Sequence, residues 1–210
     1  MKIIKPSFEI INISPMNPLE LLELAGRVCY KSESKIAEGT ALPFVKKILE
    51  GNHESVIEHA SMTIKFVCDR GVTHELVRHR LCAFSQESTR YANYSKDKFG
   101  NEITVIEPCF WNDFAPNAVL HYTCWKQACL YAESAYLELL RNGASPQQAR
   151  TVLPNSLKTE IVVTANLREW RHVFKLRTSK AAHPQMRELM LMTLEEVKKR
   201  IPLIFDDIVV

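Results

Sequence analysis

This 210-residue chain has no apolar run near the roughly 20 residues that cross a bilayer, so a membrane-spanning helix is not expected. Its opening residues, MKIIKPSFEIINIS, lack the uninterrupted apolar region of a signal peptide. The six cysteines (Cys29, Cys68, Cys82, Cys109, Cys124, Cys129) never form a CxxC pair. That argues against a zinc knuckle or a disulfide scaffold, and a reducing, cytoplasmic setting is expected. Charge of one sign is also scarce: the net charge is only +3, which does not imply a nucleic-acid-coating surface. GxGxxG and GxxxxGK[ST] are absent, which excludes a Rossmann fingerprint and a P-loop. With no repeat, low-complexity tract or linker, residues 1–210 are expected to form one domain.

What is present is an ordinary soluble composition, 46% hydrophobic and 24% charged. Met1 to Ile13 reads as a strand. Asn17-Pro18 with Glu20 resembles a capping box, and Leu21, Leu24, Ala25 and Val28 follow as a helical stripe. A short helix is expected over Leu42 to Glu50, a strand over Ser61 to Asp69 and a helix over Val72 to Leu81. The longest helical pattern, Asn117 to Asn142, carries Tyr122, Trp125, Cys129, Ala132, Tyr136 and Leu140, and Gly143 ends it. Ser145-Pro146 with Gln148 repeats the cap signature, and Pro154 stops that short helix. Glu160 to Ala165 reads as a strand and Arg168 to Arg177 as a helix. The last helix begins near Pro184, with Met186, Leu189, Met190, Leu194, Val197 and Ile201 on one face. The class is α+β.

Two helical patterns place an arginine where an apolar residue belongs. In THELVRHRL, Arg80 follows Leu76 and Val77 by four and three positions. In LREWRHVFKLR, the stripe Trp170, Val173 and Phe174 continues to Arg177. A desolvated guanidinium is costly unless an anion pairs with it, although its stem can also pack while the head reaches water. The recurrence, beside Arg78, Arg90, Arg150 and Arg168, favours a polyanionic ligand, because guanidinium forks match phosphate oxygens. Interleaved Glu75, Gln86, Glu87 and Glu169 make a small molecule the better fit than a nucleic acid. Ser85, Gln86 and Ser88 add groups that can read a base or sugar edge.

Other motifs carry less. HESVIEH (His53 to His59) is not a zinc-protease motif, because its histidines would lie about 120° apart on a helix and Ile57 stands where the second ligand belongs. No metal is expected. His53, Glu54 and Glu58 read as polar residues near a turn. Cys109 has no cationic neighbour to activate it, and Ser88 lies outside any GxSxG elbow.

Arg78-His79-Arg80, seven intervening residues and Ser88 reproduce an RHRx7S signature, extended as RHR..FSQESTRY. With HESVIEH, ARTVLP, NLREWRHVFKLR and LRTSKAAHPQMRE, in that order, the chain resembles the flavin-dependent thymidylate synthases over nearly its whole length. The resemblance implies a homotetramer with active sites shared between subunits, built on a mostly antiparallel central sheet and a long helical portion. It implies FAD as cofactor, NADPH as reductant, methylenetetrahydrofolate as one-carbon donor and dUMP as substrate. His53, Ser55 and Glu58 match positions on the flavin or folate side. Arg78, His79, Arg80, Asn166, Arg168 and His172 match flavin contacts, with Arg78 also near the nucleotide. Glu75, Gln86, Ser88, Arg90, Arg150 and Arg177 match the dUMP pocket. Glu75 stands where some members have glutamine, and Gln86 where some have glutamate. Arg177 and His53 are the residues to which the resemblance gives catalytic roles.

Two other classes fit the same residues. A non-catalytic nucleotide- or RNA-binding protein would use the arginines for phosphates and Tyr91, Tyr94 or Trp170 for stacking. A flavoprotein that lost its folate chemistry would bind flavin without methylating dUMP.

Overall fold

Pro6 cuts the N-terminal strand in two, because proline has no N–H for a ladder and fixes its own φ. The computed structural model describes residues 1–111 and 116–209. In place of one strand over Met1 to Ile13 it has β1 (Lys2–Ile4) and β2 (Ser7–Ser14). There follow α1 (Pro18–Cys29), α2 (Ala41–Glu50), β3 (Ser61–Asp69), α3 (Arg70–Leu76), β4 (Ala83–Gln86) and β5 (Thr104–Ile106). The remainder is α4 (Ala118–Arg141), α5 (Pro146–Ala149), β6 (Lys158–Asn166), α6 (Leu167–Arg177) and α7 (Pro184–Arg200). The class is α+β, with an antiparallel four-stranded sheet in the order β2-β3-β6-β4. β1 and β5 form a separate parallel pair, registered Lys2 to Thr104, Ile3 to Val105 and Ile4 to Ile106.

Contacts divide the chain into two compact units. The first contains Met1–Ser7, Phe66–Arg78 and Ser85–Ile161; the second contains Phe8–Lys65, His79–Phe84 and Val162–Val210. The division falls inside β2, β3, β4 and β6 and between Arg78 and His79.

The first unit packs around Tyr136, fully buried on α4, with Tyr94, Ile103, Val105, Cys129, Ala149 and Leu157. The helical stripe expected for α4 is the one that faces inward. Gly143 ends it at φ 88°, a left-handed conformation that glycine adopts without Cβ strain. The cap before α5 also forms, the Gln148 side chain accepting from the Ser145 N–H at 2.9 Å.

The second unit packs α1, α2, α6 and α7 with the turn Glu54–His59. All six residues expected on the α7 face are buried. Trp170 of α6 is fully buried, stacks on Phe174 and donates its indole N–H to the Met62 carbonyl at 2.8 Å.

Three further local expectations fail. Asn17 makes no side-chain cap to α1. The α1 stripe is rotated: Pro18, Leu22 and Gly26 are buried with Glu23, while Leu24 and Val28 are each 46% exposed. Glu23 turns inward because it accepts from both Arg27 and the Thr40 hydroxyl, at 2.7 and 2.9 Å. Gly26 must face α2, since a Cβ there would stand 2.6 Å from the Phe44 ring. The third failure is α3, which ends at Leu76 rather than Leu81. The Arg78 N–H turns back to the Glu75 carbonyl, and its Nε donates to the His74 carbonyl, capping the last turn. Arg80 therefore lies beyond the helix and is exposed, so the argument from a buried-face arginine applies to Arg177 alone.

Replacing Trp170 by alanine should lower the unfolding free energy by about 3–5 kcal/mol, because it leaves a large cavity and removes the indole hydrogen bond to the Met62 carbonyl. Urea titration checks this; a loss below about 1 kcal/mol would show that the helix does not depend on this anchor.

Candidate functional site

The N-terminus of α6 is set by Asn166, whose side-chain oxygen accepts from the Glu169 N–H at 2.8 Å. From that start one helix carries Arg168, Glu169, Arg171, His172, Lys175 and Arg177. The first five, with Asn166, Glu54, Glu58 and Leu81, line a cavity of about 550 Å³ in the second unit.

Acid and base alternate around it. Arg168 pairs with Glu58 at 2.5 Å and with Glu54 at 3.7 Å. Glu54 also accepts from Arg171 Nε at 3.1 Å. Arg171 is buried, and its fork closes on both Asp207 oxygens at 2.6 and 2.8 Å while also donating to the Ile204 carbonyl. This bidentate pair holds the Asp207 carboxyl below the usual range. Arg168 is half exposed and lies at the rim, where pairing with carboxylates is weak and exchangeable.

Of the residues expected on the flavin side, Glu58, Asn166, Arg168 and His172 line the cavity. His79 is buried against it, its ring edge-on to His172 with centroids 5.6 Å apart. His53, Ser55 and Arg80 are exposed and do not line it. Sequence reasoning missed Leu81, Arg171 and Lys175 and did not foresee the burial of Glu169. A signal was available for two of these: Glu169 lies four residues before Val173, and Arg171 three before Phe174, both on the inward stripe.

Arg177 ends α6 and donates from Nε to His79 Nε2 at 3.0 Å. A guanidinium has only donors, so Nε2 must carry a lone pair and the ring must be neutral. The His79 proton then sits on Nδ1, which faces Glu169 Oε1 at 3.6 Å. Burial first, then the charges of Arg177 and His172, bring the His79 pKa down to about 4. Cys82 is pushed up to about 12 by burial and by Glu169, so it is an inert thiol.

The residues expected at the nucleotide, Arg177 excepted, all belong to the first unit. Gln86 donates from Nε2 to the hydroxyls of Thr73 at 3.0 Å and Thr159 at 3.3 Å. Thr73 gives its own proton to the Arg70 carbonyl, so it can only accept from Gln86, which fixes the amide orientation. With both amide protons so placed, Gln86 offers a ligand its carbonyl oxygen. Ser88 accepts from the Arg90 N–H at 3.3 Å; Arg90 lies over the Tyr91 ring and is exposed. Arg150, also exposed, donates to Thr89 at 3.4 Å. A cavity of about 350 Å³ in this unit, lined by Lys2, Tyr94, Lys98 and Lys158 among others, includes none of these residues.

The family model described as "Thymidylate synthase complementing protein" matches residues 11–203. The chain is 36% identical over 190 residues to the flavin-dependent thymidylate synthase of Pyrococcus abyssi, covering 87% of this chain and 75% of that one. It is also 36% identical over 200 residues to the enzyme of that name from Mycobacterium avium, covering 89% and 78%. The chain belongs to the flavin-dependent thymidylate synthase family. It is accordingly an enzyme of the methyltransferase class. Its fold is similar to a crystal structure of the UMP/dUMP methylase PolB from Streptomyces cacaoi bound with 5-Br dUMP, at TM-score 0.82 and 20% identity over 98% of this chain and 96% of that one. No helix among the described residues of this family member is long and apolar enough to cross a membrane.

The depressed His79 pKa has a consequence for stability. As the pH falls below about 6.5 the unfolded chain takes up this proton first, so stability is full above that value and declines until about pH 4. The wild-type urea midpoint should therefore fall more steeply from pH 7 to pH 5 than that of His79→Gln, which keeps an acceptor for Arg177. Parallel slopes would show that the imidazole is not held neutral.

Proposed function

We propose that the protein carries out the reductive methylation of dUMP to dTMP, with methylenetetrahydrofolate as one-carbon donor and FAD reduced by NADPH. The observation that carries this reading is the Arg177–His79 contact. It joins the RHR segment to the end of NLREWRHVFKLR and holds a guanidinium beside a neutral ring.

The donor set of the larger cavity suits FAD. Arg168 and Lys175 are cations for a diphosphate, and Asn166 and His172 offer hydrogen-bonding groups to a heteroaromatic edge. Asn166, Arg168, His172 and His79 would hold the cofactor, with Arg78, Arg80, Ser55 and Glu58 completing its surroundings. Bound FAD supplies, once reduced, the hydride that no side chain can.

On the nucleotide side, Arg90 and Arg150 take the phosphate of dUMP, and Ser88 adds a hydroxyl. The Gln86 carbonyl accepts from a ring N–H, and Glu75 is placed beside the same ligand. Uracil C5 is a poor nucleophile until negative charge builds on the ring. Arg177 stabilises that charge at a ring carbonyl, and a fixed donor in a part-buried site needs no reorganisation to do so. The neutrality of His79 matters here, because a charged imidazolium would repel the guanidinium. His53, exposed ahead of the Glu54–His59 turn, is assigned to the folate side.

The flavin residues other than Arg78 fall in the second unit, and the dUMP residues other than Arg177 in the first. The whole chain then acts as one functional domain, in a cytoplasmic homotetramer whose sites draw on several subunits.

A mixture of protein, FAD, dUMP, methylenetetrahydrofolate and NADPH should form dTMP and release tritium from [5-³H]dUMP. Arg150→Ala should raise the KM for dUMP by about 10- to 100-fold, the worth of one charge-assisted contact, with kcat little changed. A complete mixture that makes no dTMP overturns this reading.

A further inference from the structure

Glu169 has a place in the site that its cavity position alone does not explain. It is 7% exposed, so its carboxylate is largely removed from water, a costly state for an isolated charge. His79 faces it, with Nδ1 and Oε1 3.6 Å apart, and His172 and Cys82 also lie near the carboxylate. On the opposite side of the ring, Nε2 receives the Arg177 Nε–H. An imidazole with one proton has two tautomers, and both neighbours select the same one. Arg177 can only donate, so it requires a lone pair on Nε2; the carboxylate favours a proton on Nδ1.

His79, Glu169 and His172 also place possible metal-ligand atoms within 4.8 Å of one another. A cation there would stand next to the Arg177 guanidinium. Metal ligation through His79 Nδ1 would also move the proton to Nε2, against the Arg177 N–H. The electrostatics favour a proton on Nδ1 over a metal ion.

We propose that Glu169 is a positioning residue: it holds the His79 proton on Nδ1, which leaves Nε2 as the acceptor that orients the Arg177 guanidinium. Glu169 needs no contact with the substrate. Its action runs from a carboxylate in the first turn of α6, through a ring brought in from the RHR segment, to the last residue of the same helix. The logic is that of a buried carboxylate fixing the tautomer of a histidine, with a guanidinium in place of a nucleophile as the group oriented. Only the kinetic part of the test rests on the dUMP reading.

The test is long-range ¹H–¹⁵N correlation on FAD-loaded protein labelled at histidine, with His79 assigned by comparison with His79→Gln. Wild type should show one His79 tautomer, protonated at Nδ1. In Glu169→Leu, which removes the carboxylate facing Nδ1, the Nε2–H tautomer should become populated and kcat should fall about tenfold or more, with the dUMP KM moving less than about threefold. Glu169→Gln keeps an oxygen able to face Nδ1–H, so it should retain the wild-type tautomer and recover most of kcat. A wild-type proton on Nε2 overturns the proposal, and this result needs no variant to fold. So does a Glu169→Leu protein that binds flavin less tightly while its His79 tautomer is unchanged, since that is the behaviour of a residue that merely lines the cavity. If the tautomer responds as expected but the wild type makes no dTMP, the positioning role stands and the synthase reading fails.

Discussion

A buried imidazole that must stay neutral is the constraint around which the second unit's site is arranged. His79 lies between a guanidinium that can only donate to Nε2 and a carboxylate that faces Nδ1 at 3.6 Å. Arg177 lies 98 positions away in the chain, and its donation to Nε2 ties the end of α6 to the segment that follows α3. Because the ring cannot take a second proton without setting two donors against each other, the guanidinium keeps its full charge beside an uncharged neighbour. Arg171, six residues earlier on α6, shows the alternative. There the guanidinium is neutralised by Asp207 and Glu54 and tethers the C-terminal segment. One helix thus carries an arginine matched by carboxylates and another set against an uncharged ring, and what distinguishes them is the partner each meets.

The first unit handles its polar groups by a different means. The Thr73–Gln86–Thr159 hydrogen bonds fix the orientation of the Gln86 amide. A glutamate at the same position would present an acceptor as well, but it would meet the Thr73 hydroxyl with no proton to give it. Gln86 therefore supplies an acceptor that is compatible with two buried hydroxyls, which gives a physical reason for an amide in place of a carboxylate. Glu87, next along, is turned away to Tyr94 and Lys158 and takes no part in that choice.

Where apolar spacing was long and uninterrupted, the sequence was readable. The stripes of α4 and α7, the strand from Ser61 to Asp69 and the cap at Ser145 all form where expected. Short elements were not readable: β4 and β5 span four and three residues, too few for a period to show. α1 misled because polar contacts set its rotation, Glu23 being drawn inside by Arg27 and Thr40 against its own hydropathy. At the candidate site, RHRx7S and NLREWRHVFKLR named several residues that the structure brings together, among them His79, Arg168, His172 and Arg177. They did not reveal the burial of Glu169 or the pairing of Arg171 with Asp207. Those depend on chain segments meeting across long sequence separations, which spacing along one segment does not encode.

The most direct test of the central claim, that flavin and dUMP act in one site, is an anaerobic absorption spectrum of the purified protein with NADPH, recorded with and without dUMP. A bound oxidised flavin that bleaches, and whose spectrum or bleaching rate responds to dUMP, is the result expected. A colourless protein that takes up no added FAD, or a flavin indifferent to dUMP, would contradict it.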